Sequence, residues 1–99
     1  MSALHVGDSG AYGELAKRPL TEGLSLVFVP SLAALLMRAQ QLNGGAALTE
    51  AQVLRIRDGS MVMVVPHDAA RTVEEQRGYA DIDATDAWHS WLQLQDDQA

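Results

Sequence analysis

At 99 residues the chain has room for one hydrophobic core, because two cores would leave each half too small to offset its own chain entropy. Its 47% hydrophobic and 20% charged residues describe a globular sequence, and the absence of cysteine excludes disulfides, thiolate catalysis, iron–sulfur clusters and cysteine-ligated zinc. A net charge of −6 with no basic stripe argues against a nucleic-acid backbone as ligand and favours a basic partner.

Residues 1–22 scatter Gly7, Gly10, Gly13 and Pro19 among polar residues without a sustained period, which predicts a flexible N-terminal arm. That stretch lacks the basic start and apolar block of a secretory signal. The apolar run from Leu24 to Met37 contains Ser25, Pro30 and Ser31 and falls short of the about 20 residues a bilayer span requires. A cytoplasmic protein, with no membrane as partner, is the expectation.

Leu24 to Val29 is rich in strand-forming types and ends at Pro30, so it reads as a buried strand. Leu32, Leu35, Leu36, Ala39 and Leu42 then recur at helical spacing until the "NGG" stop at residues 43–45. Thr49 and Gln52 form a capping box that opens a second helix, with Val53, Leu54 and Ile56 inward and Gly59 as its end. "SMVMVVP" (60–66) predicts a second buried strand, and Pro66 restarts the cycle. From Asp68 to Arg77 the apolar stripe is only Ala69, Ala70 and Val73, which suggests a helix against a close neighbour or at an edge. Gly78 stops it, and Tyr79 is expected to fold back onto Val73. Asp83 or Thr85 caps a last helix with Trp88, Trp91 and Leu92 on one face, fraying into the tail 96–99.

These elements make a small α+β domain over residues 23–95, in the order β-α-α-β-α-α, with a two-stranded sheet packed against helices. The two strand–proline–helix junctions suggest similar half-units whose strands pair in parallel, with edges capped by loops or by a second copy in a homodimer.

Candidate chemistry is sparse. His5, His67 and His89 have no metal-ligand spacing; His67, after Pro66, reads as capping or solvent-facing, and His89 as exposed. "GDSGAYG" (7–13) lacks the Lys-Ser/Thr pair and preceding strand of a phosphate loop. "DIDATD" (81–86) lacks the glycine and terminal glutamate of a calcium loop and reads as acids gathered at a helix N-terminus. No nucleophile, base and orienting group can be grouped, so the expectation is a non-enzyme with no catalytic residues, no metal and no cofactor.

The informative stretch is "YADIDATDAWHSWL" (79–92), which places aromatics beside acids. Aromatic side chains supply anchoring area and carboxylates steer toward Arg and Lys, so Tyr79, Asp81, Asp83, Asp86 and Trp88 form the expected partner-binding patch. Tryptophans also dominate small cores, and at least one of the two is expected there. Replacing Asp81 and Asp83 by lysine should weaken docking while leaving the fold intact. In size, charge and lack of a catalytic signature the chain is similar to small acidic immunity proteins and antitoxins. The expected function is accordingly a small acidic protein that binds and inhibits or escorts a basic partner. The alternative is a self-associating accessory or structural domain of a larger bacterial complex, using strand edges or the helix at 31–42.

Overall fold

The computed structural model describes residues 2–98 and puts the "MVMVVP" run at the centre of the sheet. β3 (Met61–Pro66) lies between β1 (Ser9–Ala11) and β2 (Leu24–Phe28), and both neighbours run antiparallel to it. Along the first four residues of β3 burial alternates with period two: Val62 and Val64 face the core, Met61 and Met63 face outward. The chain runs β1, α1 (Tyr12–Leu15), β2, α2 (Leu32–Leu42), α3 (Glu50–Gly59), β3, α4 (His67–Arg77), a 3-10 turn at Ala84–Asp86, then α5 (Ala87–Gln98). The class is α+β, as the sequence predicts.

The expected two-stranded, parallel sheet is corrected in both respects. A single helix between two strands restores the strand direction, whereas the two helices α2 and α3 reverse the chain once more and return β3 antiparallel to β2. The third strand comes from residues expected to be a loose arm. Leu4 and Leu15 are 0% and 5% exposed and belong to the core. The Leu4 N–H donates to the Pro19 carbonyl at 2.9 Å, and the Arg18 side chain reaches the carbonyl and hydroxyl of Ser2, both at 3.2 Å. Gly10, paired with buried Val62, faces the core where a Cβ would lie 2.7 Å from Leu15 Cδ1, so close approach accounts for a glycine inside this strand. Met1 of the expected arm and Ala99 of the expected tail lie outside the described residues; α5 is helical through Gln98.

The core forms on one face of the sheet. Leu32, Leu36, Val53 and Trp91, from α2, α3 and α5, close over Phe28, Val62 and Val64, and this removal of apolar area from water is the main stabilising term. Trp88 packs at the margin, but Leu92 is largely exposed, so the buried side of α5 is Ala87 and Trp91 rather than the predicted Trp88, Trp91 and Leu92. α4 adds nothing to this core and half-buries only Ala69, Ala70, Val73 and Arg77. Thr49 and Gln52 exchange both bonds of the capping box and Gly78 ends α4 at φ +80, as expected, whereas Ser31, which helical spacing puts on the wet side of α2, is buried as the N-cap of that helix. Among the described residues no helix is long and apolar enough to cross a membrane.

Candidate functional site

The hydrogen-bond parity of the sheet decides which main-chain groups of β2 are spent. β3 turns its odd-numbered residues to β2, as in Val29 N–H to the Met61 carbonyl at 3.2 Å. Its even-numbered residues turn to the β1 side, as in Val64 N–H to the Asp8 carbonyl at 2.9 Å. In an antiparallel ladder, Ser25 and Val27 therefore bond to β3, while Leu24, Leu26 and Phe28 direct N–H and C=O to the free edge. The Leu24 N–H is taken by the Thr21 carbonyl at 3.1 Å, and the Phe28 carbonyl accepts from Arg77 Nη2 at 2.7 Å. The Leu26 N–H and C=O and the Phe28 N–H have no partner among the described residues.

Beside that edge lies a groove of about 320 Å³ between β2, the Ala70–Val73–Arg77 side of α4, and the segment from Tyr79 to Ile82 with Ala84. α4 runs along β2 in the same direction, since His67 meets Gly23 and Ser25 at one end and Arg77 meets Phe28 at the other. Of the stripe predicted to meet a neighbour, Ala70 and Val73 line the groove and Ala69 does not.

A polar cluster closes the Phe28 end. The Asp81 carboxylate accepts the N–H groups of Leu32, Ala33 and Ile82, each at 2.8 Å, and lies 3.8 Å from Arg77 Nη1. It thus caps α2 from outside that helix, meeting the exposed donors and the positive end of the helix dipole. Ser31 accepts from Ala34 N–H at 3.1 Å and shares a hydrogen bond of 2.7 Å with the Tyr79 hydroxyl. At the other end the Ser25 hydroxyl meets His67 Nδ1. In a serine nucleophile arrangement the hydroxyl meets Nε2 and a carboxylate holds Nδ1. Here the serine occupies Nδ1 and no carboxylate bonds to His67 among the described residues, so the contact orients the start of α4.

Of the expected patch, Tyr79 and Asp81 line the groove, and Asp83, Asp86 and Trp88 do not. Asp83 accepts from Thr85 N–H at 3.0 Å and the Thr85 hydroxyl at 2.7 Å. Asp86 meets His89 Nδ1 at 2.8 Å, with the side chains 59% and 76% exposed. Each acid has its own local partner, and among the described residues no group of three or more His, Asp or Glu is placed to hold a metal ion. Because Asp81 holds α2, the expectation that its charge reversal spares the fold is corrected. Sequence reasoning missed Leu26, Phe28, Glu74 and Arg77, and the only signal pointing to them was the narrow apolar stripe of α4.

A second depression, near Arg57, has its charge spent internally. Arg57 binds the Ala84 carbonyl at 2.9 Å and Asp58 at 3.0 Å, and stands 5.4 Å from the centre of the Tyr12 ring. No protein-family model, curated protein or solved structure matches the chain.

Proposed function

We propose that this chain is a small acidic, non-enzymatic protein-binding protein that docks on a basic surface of a partner and inhibits or escorts it. One observation carries the reading: the groove beside β2 leaves main-chain groups open to an incoming chain. Its wall carries Glu74, and its one arginine is already engaged by Asp81 and the Phe28 carbonyl. A net charge of −6 supports electrostatic steering toward such a partner. Within the 79–92 stretch the steering role passes to exposed Asp83 and Asp86, joined by Asp68, Glu74 and Glu75 of α4, while Asp81 serves the fold. An immunity- or antitoxin-like role in the cytoplasm is the specific form of this proposal, and size and charge support it.

The test is capture from a cell extract on immobilised protein at low ionic strength, followed by a salt step. A basic protein retained and then released by salt is expected, because screening removes charge-steered docking. Salt-indifferent retention, or none, overturns the reading. The alternative, a self-associating domain, draws support from the outward sheet face, where Met61, Val29 and Met63 are 51%, 48% and 39% exposed. Light scattering across a concentration series decides it, since a monomer throughout removes it.

A further inference from the structure

The free edge of β2 bears on which part of a partner enters the groove, and the inference rests on the protein-binding reading above. We infer that the groove takes an extended segment of the partner as a fourth strand, paired with β2 through the N–H and C=O of Leu26 and the N–H of Phe28, with a Lys or Arg opposite Glu74.

Three features converge on that occupant. The open donors and acceptor repeat every second residue along β2, a spacing of about 6.6 Å, and an extended backbone presents complementary groups at that same repeat. Folded chains blunt such an edge with lysine, proline, a bulge or a covering helix; Leu24–Phe28 carries none of the first three, and α4 with the 79–84 segment stands beside it but leaves a groove of about 320 Å³ between them for an incoming chain. Three of the wall residues are short, Ala70 on α4 and Ala80 and Ala84 beyond it, and among the larger Val73, Arg77, Tyr79 and Ile82 they leave room for side chains of an added strand.

Charge then selects among extended chains. Arg77 and Asp81 compensate one another within 3.8 Å, so Glu74 is the uncompensated charge on the groove wall and calls for a cation opposite. The same argument disfavours a second copy of this chain, which would bring its own β2, a second Glu74 and a further net charge of −6 to the contact.

The experiment selects random linear phage-displayed peptides on the immobilised full-length protein at low ionic strength, then adds the enriched peptides to ¹⁵N-labelled protein. Enriched sequences should alternate β-branched or aromatic residues and include Lys or Arg. On binding they should slow amide exchange at Leu26 and Phe28 by at least about tenfold, as new hydrogen bonds form there. Ala70→Trp, which fills the groove from α4, should weaken binding by about tenfold or more with the circular dichroism spectrum unchanged. Peptides that bind without protecting Leu26 and Phe28, or the failure of any peptide to be selected, overturn the inference. So does protection of these amides in peptide-free protein with a dimer's mass, which would assign the edge to a second copy. A salt-sensitive partner whose complex leaves the two amides unprotected defeats strand addition alone, whereas failure to capture any basic protein defeats the protein-binding reading itself.

Discussion

The first turn of α2 and the free edge of β2 are neighbours in sequence and share one deficit, main-chain N–H groups without a partner inside their own element. At α2 the deficit is met in full. Ser31 takes the Ala34 N–H and the Asp81 carboxylate takes those of Leu32 and Ala33, with Arg77 balancing its charge. At β2 the Leu24 N–H is met by Thr21 and the Phe28 carbonyl by Arg77, and the Leu26 N–H and C=O and the Phe28 N–H stay open. Acids in the 79–86 run therefore do different work according to what they face: Asp81 meets the first turn of α2 and becomes part of the packed fold, whereas exposed Asp83 caps only the short 3-10 turn beside it and exposed Asp86 meets only His89.

The sharpest way to break this contrast is to remove the cap. Asp81→Ala strands three N–H groups in a partly buried site and leaves Arg77 without its carboxylate, so a loss of about 4 kcal/mol is expected in urea unfolding. Asp81→Asn keeps one acceptor and should cost about half as much. A loss below about 0.5 kcal/mol for the alanine variant would show that the cap contributes nothing beyond an ordinary surface contact. Leu4→Ala probes the N-terminal segment instead. Leu4 is fully buried and its main chain is tied to Pro19, so a loss of about 3 kcal/mol is expected, where a loose arm would give a loss near zero.

What was legible in the sequence was local. The Thr49–Gln52 box and Gly78 act within four residues of themselves, and each sits where the pattern put it. β1 escaped because three residues including a glycine carry no period, and its reason for existing, Val62 beside it and Leu15 over it, lies elsewhere in the chain. Asp81 escaped for a related reason: its residue type announced a helix N-terminus, but not that the helix was α2, more than forty residues earlier. The edge beside α4 was half legible, since a stripe of Ala69, Ala70 and Val73 signals close approach without naming β2 as the neighbour. Gly78→Ala measures the worth of a local signal. At φ +80 a Cβ is strained although nothing crowds it, and a loss of about 1 kcal/mol is expected by thermal unfolding.

The smallest effect separates surface charge from fold. Asp86 and His89 meet at 2.8 Å, but both side chains are more than half exposed, so solvent screening removes most of the attraction and side-chain ordering opposes the rest. Asp86→Ala is therefore expected to change stability by less than about 0.5 kcal/mol in the same urea titration. Because the fold is untouched, any change in partner retention by this variant reports docking alone, which Asp81 variants cannot do. Salt-sensitive weakening in Asp86→Ala would place the docking charge on the free acids. Unchanged retention in this variant, together with weakening in Glu74→Gln, would place it on the wall of the β2 groove.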